Sequence, residues 1–193
     1  VVESAASGLG GQTVMLLHLG ESRRTFCLDG GSRAPHRTPP GQLGREEQRR
    51  GHKATTVPST PAVLAWALQR YGTKSLEEVL EPAIKAAATG YRVSPLQHSL
   101  ADRGLRYLKE FSGGKLFLEG GGTPYPVGSI FRQPALANTL RHLAGAGVED
   151  FYQGEIARQI HRDMVANGGL IRDDDLAQIP WPVERNPLST RYG

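Results

Sequence analysis

The stretch QTVMLLHLGESRRTFCLDGGSRAP, Gln12 to Pro35, decides the fold. Two β-rich runs, 12–19 and 23–29, are joined by Gly20-Glu21-Ser22, the pattern of a β-hairpin. Successive strand residues point to opposite faces, so Val14, Leu16 and His18 share one face and Met15, Leu17 and Leu19 the other. Both faces are mostly apolar, which predicts a central strand covered on both sides. The second run breaks in Cys27–Pro35, where one arginine, Arg33, stands behind Gly30 and Gly31 at the mouth of the strand. Two strands do not make an independently stable sheet. The rest of the sheet is therefore expected outside this chain.

Working outward, the signal turns helical at Thr60-Pro61, a capping hydroxyl followed by proline at the first helical position. Val63, Leu64, Ala67, Leu68 and Tyr71 recur at helical spacing, and Gly72 ends the run. Ser75-Leu76-Glu77-Glu78 has the form of a capping box. Pro82 predicts a break there, with one short helix before it and a second running to Thr89 and Gly90. Ser94-Pro95 opens a helix to about Phe111. Pro134 opens another that ends at Gly145. Val148 to Ala166 reads as one long amphipathic helix, closed by Asn167-Gly168-Gly169. A last short helix begins near Asp173. The Gly- and Pro-rich stretches 30–58 and 112–128 read as long loops. The expected architecture is α+β, one β-hairpin plus about six helices. It is organised as a single partial domain over 1–193: a hairpin portion 1–29, a loop 30–58 and a mainly helical portion 59–193.

Composition excludes more than it identifies. A net charge of +4 and the run GREEQRRGHK (44–53), with two glutamates inside it, read as a solvated loop and not as a nucleic-acid patch. One cysteine rules out an internal disulfide. Cys27 lies in a strand without an evident base and reads as a small apolar residue. No apolar run approaches membrane-spanning length. The glycines of SGLGG (7–11) precede a strand instead of a helix, which argues for a tight turn with positive φ over a phosphate loop. Asp173-Asp174-Asp175 reads as negative charge at a helix N-terminus and not as a metal site. The six histidines are scattered, and no G-x-S-x-G elbow is present. Neither a metal nor a cofactor is expected.

The ordered motifs supply what composition does not. VVESAASGLGGQTVML, LDGGSRAP, VPSTPAVLAWALQRYGTKSLEEVLEPAIKAAATGYRVS, RQPALANTLRHLAGAGVEDFYQGEIA, NGGLIRDDDLA and NPLSTRYG together resemble the large-subunit region of gamma-glutamyltransferases (gamma-glutamyltranspeptidases) over essentially the whole chain. The resemblance implies part of an αββα N-terminal-nucleophile hydrolase sandwich. In that family a proenzyme cuts itself, and a freed threonine at the start of the small subunit forms an acyl-enzyme. The resemblance therefore implies a small catalytic subunit from the same precursor as partner, and no catalytic residue in this chain. The usual family motif Asp-Phe-Arg-Glu-x-Ala-Pro clamps the substrate carboxylate with its arginine. Anchored on Asp29, Ala34 and Pro35, that arginine's position is Gly31, and the nearest arginine is Arg33. The form of this motif, with Trp181 and Asn186–Ser189, is similar to the divergent branch related to cephalosporin and glutaryl acylases. Arg33 either takes a substrate carboxylate or pairs with a structural acid or a backbone carbonyl. A competing reading is a catalytically inert, truncated homologue acting as a structural or binding module.

Overall fold

The structure is a computed structural model that describes residues 1–4 and 7–192. In chain order its strands are β1 (Thr13–Leu19), β2 (Arg24–Gly30), β3 (Tyr91–Arg92), β4 (Leu118–Glu119), β5 (Thr123–Pro124), β6 (Ile130–Phe131) and β7 (Val183–Arg185). Its helices are α1 (Thr60–Tyr71), α2 (Leu76–Thr89), α3 (Pro95–Arg103), α4 (Leu105–Glu110), α5 (Gly114–Phe117), α6 (Pro134–Ala146), α7 (Val148–Gln153), α8 (Glu155–Ala166) and α9 (Asp173–Ala177). Chain contacts divide the molecule into two compact units. One comprises Val1–Gly8 and Leu76–Gly145, the other Leu9–Ser75 and the chain from Ala146 on.

The second unit holds the hairpin. β1 pairs antiparallel with β2 over its whole length, from Thr13↔Gly30 to Leu19↔Arg24. A short antiparallel strand, β7, lies on the far side of β2, giving the order β1-β2-β7. The hairpin is therefore as expected, but two expectations need correction. The third strand lies inside this chain: it is Val183-Glu184-Arg185, too short to show a period of its own. And among the described residues β1, expected to be central, stands at the edge of this sheet, with β2 between it and β7. Met15, Leu17 and Leu19 turn inward and pack with Phe26 and Leu28 against Val63, Trp66, Ala67 and Tyr71 of α1. Phe26, Leu28 and Val63 are buried, each burial stabilising by about 1.5–3 kcal/mol. The Phe26 and Tyr71 rings lie 4.9 Å apart. The other face of the sheet is open: Val14 is 64% and Leu16 66% exposed.

Helix α1 is seated on the start of β1 by its own first N–H groups. Ser59 and Thr60 both donate from the backbone to the Gly11 carbonyl, at 3.0 and 3.2 Å. The glycines before β1 thus serve a helix N-terminus, and none of Gly8, Gly10 or Gly11 has the positive φ expected of a tight turn. The N-cap residue is Ser59, one position before the expected Thr60, and its hydroxyl makes no cap bond. It donates instead to the Gly30 carbonyl, while Thr60 Oγ1 meets Thr13 Oγ1 at 3.0 Å.

Elsewhere the helices follow their caps more than their stripes. Ser94 caps α3 as expected, accepting from Gln97 N at 3.1 Å. The expected helix 95–111 is split at Gly104 into α3 and α4, and the expected helix 148–166 is split at Gly154 into α7 and α8. At Gly154 the cause is visible: Asp150 folds its carboxylate onto the next helix and accepts from Glu155 N and Ile156 N, each at 3.0 Å. A Cβ at 154 would collide with that carboxylate, so only glycine permits the cap. Conversely α2 runs unbroken through Pro82, where a break was expected. Burial of Ile84 and Ala87 beyond it offsets the missing rung. In the first unit, Phe131 is buried among Tyr91, Phe117 and Tyr125, with centroids 5.8, 5.9 and 5.1 Å away. The stretch 112–128, read as a loop, contributes α5 and the small β4–β5 hairpin, whose turn uses Gly120 and Gly121 at positive φ.

Candidate functional site

The candidate site is the mouth of β2 and the segment leaving it. β2 is pinned there by close packing. A Cβ added at Gly30 would strike the Val63 side chain and come within 2.7 Å of the Thr13 carbonyl, so the strand can lie on α1 only with glycine at that position. Behind this contact stands Tyr152 of α7, fully buried, whose hydroxyl donates to the Pro58 carbonyl at 2.9 Å and accepts from Ala62 N at 3.2 Å. Burial pushes the phenol well above its ordinary value, against the Ala62 hydrogen bond and the Arg33 charge, so it stays neutral.

Gly31 is different. It is exposed, and a Cβ there would meet nothing nearer than Asp29 Oδ1 at 3.9 Å. The position has room for a side chain and carries none. Ser32 is held by Gln12, whose Oε1 accepts from its backbone N at 3.2 Å and its hydroxyl at 3.3 Å. Arg33 is exposed; its carbonyl accepts from Val57 N at 2.8 Å, closing the neck of the loop 31–58, and its guanidinium donates to the Gln178 carbonyl beyond α9. Two strand positions before Gly31, on the open face, Asp29 Oδ2 accepts from Arg185 Nε at 2.7 Å. Both side chains are partly exposed, 38% for Asp29 and 59% for Arg185.

The acidic run lies beside the same segment, and its first residue opens α9 as expected. Asp175 is buried and accepts from His36 N at 2.7 Å and Arg172 N at 2.9 Å, while His36 Nδ1 lies 2.9 Å from it. Arg37 takes Asp174 with both terminal nitrogens, at 2.7 and 3.0 Å, and stands 3.8 Å from Asp175. The Arg37 hydrogen bond holds the Asp174 carboxyl below its ordinary range, and Asp174 in turn raises Arg37. Ligand atoms of His36, Asp174 and Asp175 fall within 4.8 Å of one another. Their oxygens are nevertheless engaged by N–H groups and a guanidinium, the positions a metal ion would need. Their chemistry is that of an ionic fastening for the loop. His161 faces the same run, its Nδ1 accepting from Asp173 N at 3.1 Å.

The pairing of Asp29 with Arg185 was not read from the sequence. The partners are 156 positions apart, and β7 is too short to show itself. One signal was available: aspartate is depleted in strands, and here it stands inside a β-rich run.

The buried helix–sheet contact at Gly30 fixes the strand mouth, and Gly31 leaves space beside it. The model of the gamma-glutamyltranspeptidase family matches residues 1–193. The glutathione hydrolase proenzyme of Escherichia coli K12 is 33% identical over 200 residues, covering 100% of this chain and 34% of that protein. The acylase ACY 1 proenzyme of Pseudomonas sp. V22 is 34% identical over 161 residues, covering 78% of this chain and 28% of its own length. The solved gamma-glutamyltranspeptidase of Helicobacter pylori superposes with a TM-score of 0.94 at 32% identity, over 100% of this chain and 57% of that one.

The chain belongs to the gamma-glutamyltranspeptidase family, and its α+β fold is part of the N-terminal-nucleophile hydrolase architecture. It spans about a third of the length of the curated relatives it matches. Among the described residues, no helix is long and apolar enough to cross a membrane.

Proposed function

We propose that this chain is large-subunit sequence of an enzyme that cleaves or transfers a γ-glutamyl or glutaryl-like acyl group from an amide. The acyl group passes through an ester on the threonine that opens the small subunit and on to water or an amine. This chain frames the pocket and contributes substrate recognition at the mouth of β2, where Gly31 stands at the family's arginine position and Arg33 is the guanidinium of the segment. The observation that carries the reading is the end-to-end family match. The partner is the small subunit of the same precursor. The open face of the β1-β2-β7 sheet supports this, because it leaves Val14, Leu16 and Val183 exposed and a second β-layer of a sandwich needs such residues to pack on.

The test is an assay of the full-length gene product on chromogenic γ-glutamyl and glutaryl anilides, with mass spectrometry for self-cleavage. Cleavage into two subunits and release of the amine are expected. A product that neither cuts itself nor releases amine from either donor refutes the reading and favours an inert structural module. Arg33→Ala is expected to raise KM for the donor about tenfold or more, the size of one lost charge-assisted hydrogen bond. An unchanged KM leaves Arg33 as the clip to the Gln178 carbonyl alone.

A further inference from the structure

The basic run GREEQRRGHK, 44–53, has no part in the site described above. It forms the outer reach of the excursion 31–58. Pro35 and Val57 are buried, but every residue from His36 to Thr56 is exposed or half-buried. The excursion is held by polar contacts instead. Its neck closes between the Arg33 carbonyl and Val57 N. On the incoming flank, His36 and Arg37 reach Asp175 and Asp174. On the outgoing flank, His52 Nε2 lies 3.1 Å from Asp163 Oδ2 of α8. The tip between them turns back on itself: Gln48 N donates to the Gly44 carbonyl at 3.1 Å, and Arg49 N and Arg50 N donate to the Glu46 carbonyl at 3.0 and 3.1 Å. A segment with exposed hydrogen bonds and no buried apolar side chain opens locally at low cost, and loop tips of this kind are where proteases enter.

The sequence contains two Arg-Arg pairs, and the structure separates them. Arg23-Arg24 lies at the turn of the β1-β2 hairpin. Arg24 starts β2 opposite Leu19, donates to Glu184 at 2.8 Å and stands 4.7 Å over the Phe26 ring. A protease binds its target as an extended strand. Drawing Arg23-Arg24 into that form breaks the β1-β2 ladder and uncovers Phe26. Arg49-Arg50 meets no such obstacle. Arg49 is exposed, and Arg50 donates to Glu46 at 2.8 Å within the tip itself. Gly51 follows at φ 76° with no side chain to hinder approach.

We propose that the Arg50–Gly51 bond is a processing site for an endoprotease that reads paired arginines, and that the cut chain stays assembled. An acidic protease cleft takes the two guanidiniums by charge-assisted hydrogen bonds. Water adds across the bond: its hydroxyl joins the Arg50 carbonyl carbon, the C–N bond breaks, and the remaining proton goes to the Gly51 nitrogen. The acid and amine then exchange a proton and end as carboxylate and ammonium. Both pieces remain tied to the frame. Phe26 and Leu28 of the first pack on Val63 of the second, and the Ser59 hydroxyl still donates to the Gly30 carbonyl. The site is independent of the acyl-transfer reading.

The experiment treats the full-length gene product briefly with trypsin and, separately, with a protease specific for paired arginines, and weighs the earliest new fragments. Trypsin is expected to cut first within 45–53, and the second protease at Arg50–Gly51. The nicked protein is expected to elute on gel filtration as the uncut one does. A first cut at Arg23-Arg24 or at Arg103, Arg106 or Lys109, or no cut by the second protease, overturns the site. Pieces that part on gel filtration overturn the assembled state. Arg49→Gln is expected to slow the second protease about tenfold or more and to change the trypsin cut about twofold or less. Equal effects on both proteases overturn recognition of the pair. Asp163→Asn, which weakens the hold on His52, is expected to speed the trypsin cut about two- to fivefold, the reach of one exposed ion pair. An unchanged rate removes that contact as a restraint.

Discussion

Ser59 shows how much can hang on one hydroxyl. It is fully buried and donates to the Gly30 carbonyl, at the point where β2 meets α1. Ser59→Ala leaves that carbonyl unsatisfied in a buried place, which costs about 1–3 kcal/mol. Urea unfolding of the full-length product is expected to show a lower midpoint with an unchanged slope. A midpoint equal to wild type would mean that water or another group replaces the bond. The sequence flagged Thr60 for the cap and passed over Ser59, because capping patterns report local geometry and this hydroxyl works across 29 positions. The same holds for Asp29 with Arg185 and for Arg33 with Gln178. Gly31 was legible only through the family motif, since an empty position has no chemistry of its own to read.

Among the elements, α8 offers the clearest electrostatic test. Glu155 in its first turn accepts from Arg158 at 3.0 Å and Arg162 at 2.9 Å, with Gln159 at 3.2 Å. The Arg162 hydrogen bond, with those from Gln159 and Arg158, holds its carboxyl down from 4.5 to about 2. The folded state thus favours the ionised form. The stabilisation is complete above the unfolded value of about 4.5 and is lost as pH falls toward 2. Glu155→Gln should flatten the fall in Tm measured by circular dichroism across that window and leave its shape near neutrality unchanged. A parallel fall in variant and wild type would assign acid sensitivity to other groups. Elements that carry their own start signals, Ser94 as the cap of α3 and Pro134 as the first residue of α6, were readable in the sequence. The breaks at Gly104 and Gly154 were not, because an apolar stripe runs through them and the stop signal is a single glycine. Pro82 misled in the other direction: the stop residue is present and packing overrides it.

For the molecule as a whole, the two faces of the β1-β2-β7 sheet divide the chain's own core from the surface that a partner layer would use. Period-two alternation made both faces of β1 read as apolar, and the structure separates them, one covered by α1 and one bare. Leu16 and Leu64 are both exposed large aliphatics, 66% and 46%, the first on the bare sheet face and the second on α1. Leu16→Lys in the full-length product should block assembly and self-cleavage, read by gel and by Tm, because a charge then enters the layer between sheets. Leu64→Lys should stay within about 0.5 kcal/mol of wild type, as ordinary surface substitutions do. Equal behaviour of the two variants would refute the assignment of the bare face.

The closure of the segment 31–58 at its neck has a consequence for how such a protein can change. Val57 N is bonded to the Arg33 carbonyl, so the two ends of the excursion are fixed before its course begins. Between them, Glu46 with Arg50 and Glu47 with Lys53 close contacts within the excursion itself. Length and sequence at its tip can drift without transmitting strain to Asp29, Gly31 or Arg33, since the entropy of a longer closed loop rises only as the logarithm of its length. The strand mouth is insulated from its own appendage, and descendants of this chain are free to remodel the outer loop while the inner frame stays put.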